Sequence, residues 1–256
     1  MEIKWYGTAT FCFSHQDSSI LCDPFLPMNK LLPSPSVDEL STLGDILITH
    51  GHFDHLIDVP KLAAAGEAMI FCSEEAAATL LREGVKENRI VAVKPGDQFE
   101  KGVFRITVYR GAHIHFDRLL IMRTLLNRRV FEHRKNIRTL LKESRRYLQG
   151  EVLVYLIEAD GKRILHMGSL NLAENEDYPI SVDLLTLPFQ GRSDLDDYAL
   201  AFVRRLEPRA LFMHHFDDSF PPVSSTVDTG KFVENMAGLF PECRVIVPAF
   251  GAGYRV

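Results

Sequence analysis

Short apolar runs separated by turn residues dominate the start of the chain. Residues 3–6, 10–14 and 18–22 read as strands, with turn chemistry at His15-Gln16-Asp17-Ser18. Asp23-Pro24 closes the third run, and a Pro- and Ser-rich loop follows through Pro27, Pro33 and Pro35. Residues 46–48 form a further, buried strand. The rhythm then alternates. A helix is predicted over 59–65, a strand over 69–72, and a helix capped by Ser73 runs to about Glu83, with Glu74 and Glu75 favourable in its first turn. Strands at 90–93 and 103–109 flank the turn Pro95-Gly96-Asp97.

Residues 111–150 break this pattern and, beyond His115, read as one or two arginine-rich helices. Strands resume at 152–158, 162–167 and 182–187, with a turn at Asp160-Gly161. Ser193 with Asp196 fits a capping box opening a helix to about Leu206. A strand at 210–213 ends at His214-His215. A helix at 231–239 and a strand at 244–247, closed by Pro248, complete the pattern. No Gly-, Ser- or Pro-rich linker divides the chain, and no fixed-period repeat runs through it. A β-rich opening, an α/β middle and a β-rich return predict two mixed sheets packed face to face, with helices outside.

Composition is that of an ordinary globular chain, 46% hydrophobic and 25% charged. The net charge of −5 argues against nucleic-acid binding across the whole chain. No apolar run approaches the roughly 18 residues of a membrane span. The first residues read as a strand rather than a signal peptide. Cys12, Cys22, Cys72 and Cys243 are scattered, which fits reduced thiols in a cytoplasmic protein better than disulfides or a metal site.

His50-Gly51-His52-Phe53-Asp54-His55 turns the picture from architecture to chemistry. Three imidazoles and a carboxylate leave a buried strand on one small loop. Histidine is the commonest metal ligand, and imidazole with carboxylate suits zinc and its neighbours. Two further histidine clusters, His113-Ile114-His115 and His214-His215, stand at strand ends or just beyond. Loops on a rigid scaffold are where sites are usually built.

The segment Thr49-His50-Gly51-His52-Phe53-Asp54-His55, with Trp5-Tyr6-Gly7-Thr8-Ala9-Thr10-Phe11 and Asp23-Pro24-Phe25, resembles the metallo-β-lactamase superfamily of hydrolases. Within it, the chain most resembles the branch of ascorbate-6-phosphate lactonase and other phospho-substrate or lipid hydrolases. The resemblance is lost only in the insert after His115. It implies an α/β fold, a four-layer αβ/βα sandwich of two mixed β-sheets with outer helices. It also implies a single domain over 1–256 with a basic helical insert at about 116–150. His50, His52 and a later histidine would hold a first metal ion. Asp54, His55 and a last histidine would hold a second. His113 is the best match for the later ligand, with His115 as the alternative. His215 is the first choice for the last, with His214 as the alternative, since strand alternation decides which side chain faces the site. Zinc is expected, one ion or two, and manganese or iron suit the same ligands.

The resemblance further implies a hydrolase that uses a metal-bound hydroxide on an ester, phosphoester or lactone. Asp54 is its catalytic carboxylate, orienting the nucleophile or accepting a proton from it. One departure stands out. Ser169, in Met167-Gly168-Ser169, occupies the place of the family's bridging aspartate. Weak second-metal binding, substitution by Asn171 or water, and a site with one ion or none all stay open. A degenerate member that binds a metal or metabolite without turnover is therefore the competing reading, because one fold hosts many functions.

The insert between 118 and 146 holds ten Lys or Arg against two Glu. Leu119, Leu120, Leu125, Leu126, Ile137, Leu140 and Leu141 recur at helical spacing. A solvated lid or a homo-oligomer contact is the plain reading. The sharper one is an electropositive wall, including Arg128 and Arg129, that steers a small anionic substrate. A nuclease or RNA-processing role rests on this charge alone, and Phe131 is the only aromatic in the insert for base stacking. His166 reads as a core or supporting residue and Asp23 as either a histidine partner or a strand-ending turn. Asp58 reads as a helix cap, and His15 and His133 as solvated.

Overall fold

A computed structural model describes residues 1–117, 120, 122, 124 and 126–256. The expectations placed on Arg118, Leu119 and Leu125 lie outside the described residues.

The first sheet holds β1 (Glu2–Trp5), β2 (Phe11–His15), β3 (Ser18–Cys22), β4 (Asp45–Leu47), β5 (Ile70–Cys72) and β6 (Ile90–Ala92) in that order. The second holds β7 (Gln98–Lys101), β8 (Phe104–Arg110), β9 (Leu153–Ala159), β10 (Lys162–Met167), β11 (Leu184–Pro188), β12 (Ala210–His214) and β13 (Arg244–Ile246), again in spatial sequence. The last strand, β14 (Gly253–Arg255), returns to the first sheet and pairs antiparallel with β1. Each sheet mixes antiparallel hairpins with parallel pairs.

Alternation along the strands builds the layers, because successive side chains point to opposite faces. In β9, Leu153, Tyr155 and Ile157 join Ile3, Phe11 and Phe13 of the first sheet in the core between the sheets. Val154 and Leu156 point the other way. They pack with Leu200 and Val203 of α7 (Leu195–Leu206) and Phe232 and Met236 of α8 (Gly230–Leu239). On the far side of the first sheet, Ile46, Ile48 and Ile70 pack against α1 (Val37–Ser41), α3 (Val59–Ala65) and α4 (Glu74–Arg82) through Leu40, Leu62 and Leu80. The predicted helix–sheet–sheet–helix sandwich is thus present. Among the described residues, no helix is long and apolar enough to cross a membrane.

Several elements differ from the sequence reading. A four-residue helix, α2 (Phe53–Leu56), forms inside the histidine loop itself. β7 carries only half-buried or exposed residues and pairs only with β8, so its sequence had no strong apolar signal. The capping box at Ser193 does not form. Asp194 is the N-cap of α7, its carboxylate is taken by Arg192, and the Ser193 N–H donates to Asp117. Asp58 precedes α3 without capping it. Its carboxylate instead accepts from the Leu26 N–H at 2.8 Å and from Lys61 at 2.6 Å, tying the Pro-rich loop down.

The insert supplies α5 (Arg129–Glu132) and α6 (Arg134–Arg146). Leu140 is buried against Phe25 and Phe220, while Leu126 and Leu141 are exposed. Arg146 pairs with Glu83 at the end of α4 and with Glu143, which fastens α6 to the first sheet's outer helices.

Candidate metal centre

Parallel pairing delivers the histidine loop to the edge of the inter-sheet core. After β4 the chain stays extended, with the Ile48 N–H donating to Phe71 O and the Thr49 N–H to the Asp23 carboxylate at 2.8 Å. His50 follows, His52 is the N-cap of α2, and Asp54 and His55 lie in its single turn. Gly51 sits between them because the segment after α6 crosses there. Its N–H donates to Gln149 O at 2.8 Å, and a Cβ at this position would lie 2.2 Å from Leu148 O. Gly51→Ala is therefore expected to push these backbones apart and to cost about 1–3 kcal/mol. Chemical denaturation should show it, and an unchanged midpoint would contradict this packing.

Two groups of donors form. His50, His52 and His113 make one, and Asp54, His55 and His215 the other, with donor atoms in each group within 4.8 Å of one another. The Asp54 carboxylate lies 3.6 Å from His55 Nε2 and 3.3 Å from His215 Nε2. The His50 ring joins the groups, with its centroid 3.9 Å from His55 and 5.2 Å from His113. His115 and His214 stand outside both groups. His115 is exposed and its carbonyl accepts from Arg192. His214 is the last residue of β12 and has the parity that faces between the sheets. It is fully buried, with Nε2 3.0 Å from Met167 O. The chain then turns through a left-handed residue, His215 at φ 59°, which carries that ring into the site.

Asp23 organises the site from behind. Its buried carboxylate accepts from Thr49 Oγ1 at 2.6 Å and lies 2.9 Å from His55 Nδ1. Thr49 Oγ1 in turn sits 3.1 Å from His50 Nδ1, and His113 Nδ1 lies 2.9 Å from Ile114 O. A ring whose Nδ1–H donates to the protein keeps Nε2 free as a ligand in a fixed orientation. His166 is buried deeper, with Nδ1 2.9 Å from Thr186 Oγ1 and Nε2 3.9 Å from Asp23.

Electrostatics suit a cation. Burial, with neighbouring histidines adding to it, pushes His50 well below its ordinary pKa and His113 down to about 4. Burial also lowers His52. These rings are neutral, as ligands must be. Burial opposes ionisation of Asp54, but the nearby His55 and His215 outweigh it and hold the carboxyl below the usual range. Burial likewise disfavours charged His55, yet Asp23 and Asp54 together raise its pKa. A buried His215 Nδ1 has no hydrogen-bond partner. Neutral His50, His52 and His113, an ionised Asp54, and the rings of His50, His55 and His113 braced from behind fit a zinc-type divalent ion.

Ser169 does not replace a bridging carboxylate. Its hydroxyl accepts the Ile114 N–H at 3.0 Å and so steadies the loop carrying His113. Asn171 is equally committed, donating to His113 O at 3.0 Å and accepting from the Leu172 N–H at 2.9 Å. Asn171 thus braces the same loop as Ser169.

Sequence reasoning missed the clamp on the His215 loop. Asp217 accepts the Thr8 N–H at 3.0 Å, Thr8 Oγ1 lies 2.7 Å from Ser219 Oγ, and Phe216 stacks on Trp5 at 5.1 Å. These partners lie more than 200 residues apart in the chain, so no local signal could have paired them.

Both donor groups open on a cavity of about 790 Å³. Phe53 and Phe220 line it beside the donor groups, Ile114, Phe116 and Leu120 come from the segment after β8, and Phe189 and Val227 also line it. Arg129 and Arg192 also reach it.

Comparison with known proteins agrees with this geometry. A family model described as the beta-lactamase superfamily domain matches residues 2–215. A metal-dependent hydrolase of Heliobacterium modesticaldum is 26% identical over 263 residues, covering 97% of this chain and 95% of the relative. One from Desulfitobacterium hafniense is 27% identical over 248 residues, covering 94% and 92%. Among solved structures, a metallo hydrolase from the hyperthermophilic archaeon Ignicoccus hospitalis has the same fold. Its TM-score is 0.67 at 18% identity, covering 100% of this chain and 98% of that one. With the match running through the histidine loop to His215, and with the four-layer sandwich in place, the chain belongs to the metallo-β-lactamase superfamily of metal-dependent hydrolases.

Proposed function

We propose that the two donor groups hold two divalent ions, zinc before manganese or iron, and that the protein hydrolyses an ester, phosphoester or lactone bond. The observation that carries this reading is the convergence of two braced donor groups on one cavity wall. When bound, the metal supplies ionised water at neutral pH and stabilises negative charge on the attacked oxygen. His50, His52 and His113 would hold one ion, and Asp54, His55 and His215 the other. Asp54 is the one carboxylate in the two groups. One of its oxygens would serve as a ligand and the other would orient the attacking water or take its proton. Asp23, through His55 Nδ1, keeps Nε2 aimed at the site.

Removing metal by chelation should abolish hydrolysis of p-nitrophenyl acetate and p-nitrophenyl butyrate, and added zinc should restore it. Turnover that survives full removal would reject the reading.

Ser169 favours the one competing reading, a member that binds without turnover. If the missing carboxylate is what limits the site, Ser169→Asp should raise both bound metal and rate. A zinc-loaded native protein without hydrolytic activity would favour binding alone.

A further inference from the structure

We infer that the substrate is an uncharged ester or lactone with an apolar aliphatic chain, held by the cavity wall while its carbonyl faces the two donor groups. This rests on the hydrolase reading and replaces steering of an anion by the basic insert.

Much of the lining around the donor groups is apolar. Phe53, Phe116, Leu120, Phe189, Phe220 and Val223 face the cavity. Phe116 is 54% exposed and Val223 55% exposed, so two large apolar side chains stand in solvent at its rim. Ligand pockets of roughly 300–1,000 Å³ are usually lined by apolar and aromatic side chains of this kind. The rim is also held in shape. Gly191, at φ +102°, lets its loop approach Ile114 and Phe116, where a Cβ would stand 3.1 Å from both side chains.

The described arginines of this wall are already paired. Arg129 is ion-paired with Asp218 and also donates to Ser224 O. Arg192 pairs with Asp194 through two nitrogens, at 2.6 and 2.8 Å, and lies over the Tyr198 ring. Arg128 points away, 89% exposed and paired with Glu132. Asp196 and Asp228 add carboxylates to the same wall. Asp196 is paired with Lys231, and Asp228 accepts only a backbone N–H, from Gly230. Among the described residues, every cation on the wall is therefore already matched by a carboxylate. Against this lining an alkyl chain would gain by leaving water, whereas a phosphate or carboxylate would lose hydration beside arginines that carboxylates already engage.

The reaction is simple hydrolysis. The oxygen of water joins the acyl carbon and the bond from that carbon to the alkoxy oxygen breaks. One water proton passes to the leaving alkoxide, and the acid product keeps the other until it ionises.

The test uses the zinc-loaded full chain. p-Nitrophenyl acetate, butyrate and hexanoate should show kcat/KM rising about fourfold per added methylene, the factor for burying one CH2, with most of the change in KM. p-Nitrophenyl phosphate should be at least tenfold poorer than the butyrate ester. Val223→Asp should reduce the rise to less than twofold per methylene. In parallel, calorimetry should show octanohydroxamate binding at least tenfold tighter than acetohydroxamate, a comparison that needs no turnover. Tighter octanohydroxamate binding with no ester cleaved would uphold the apolar site and reject the hydrolase reading. Ester cleavage with a flat chain-length series, or with the phosphate ester preferred, would overturn the inference and leave the hydrolase reading standing.

Discussion

Alanine at Asp54 or at His52 should lower kcat/KM by about three orders of magnitude or more, equivalent to roughly 4 kcal/mol of lost transition-state stabilisation. Asp54 is the only carboxylate in the two donor groups, and its removal takes away the oxygen that His55 Nε2 and His215 Nε2 share. His52 is half-buried at the N-terminus of a four-residue helix and makes no capping hydrogen bond, so its loss should leave the fold intact. The two variants should therefore separate chemistry from stability. Circular dichroism should keep its native shape in both, while steady-state turnover of p-nitrophenyl butyrate disappears. Native turnover in either variant would remove that residue from the proposed site.

Asp23→Ala should have the largest effect on stability, about 3–5 kcal/mol, because it breaks a buried charged network by deleting one partner. The carboxylate is fully buried and serves the Thr49 N–H, Thr49 Oγ1 and His55 Nδ1. Without it the Thr49 N–H is left unsatisfied and the His55 ring loses its rear anchor. Burial alone would raise the pKa of Asp23. His55 and His166 beside it reverse this and hold its pKa well below the ordinary carboxylate range. Asp23→Asn is the milder test, since the amide is near the same size. It should lower metal affinity roughly 10–100-fold, as loss of a ligand's supporting hydrogen bond does. Unfolding curves for the alanine variant and zinc titrations for the asparagine variant read the two effects separately. A stable Asp23→Ala protein with native zinc affinity would show that the network is ornamental.

Much of this was legible in the sequence because it is local. The apolar run at 152–158 read as a strand, and residues 153–157 pack alternately into the inter-sheet core and against the helices. The capping serine of α4 was equally readable, and Ser73 Oγ does accept the Ala76 N–H. The donor cluster at residues 50–55 is compact enough to be seen as a string. The same principle separates His214 from His215: strand parity turns the first inward, and a left-handed residue at the strand's end frees the second.

What the sequence hid is contact across the chain. β14 is three residues long and has no pattern of its own; its pairing with β1, at the opposite end of the chain, makes it a strand. The clamp of Asp217 on Thr8 has the same character. The insert has a related feature. Its surplus of positive charge was plain, but two of the carboxylates that answer it, Asp218 for Arg129 and Glu83 for Arg146, come from distant segments.

The central claim is that two donor groups hold two metal ions. Metal analysis of the zinc-reconstituted, desalted protein, read beside His55→Ala, tests it most directly. Two equivalents of zinc are expected in the native chain and one in the variant. No bound zinc in the native chain, or the same stoichiometry in both proteins, would contradict it.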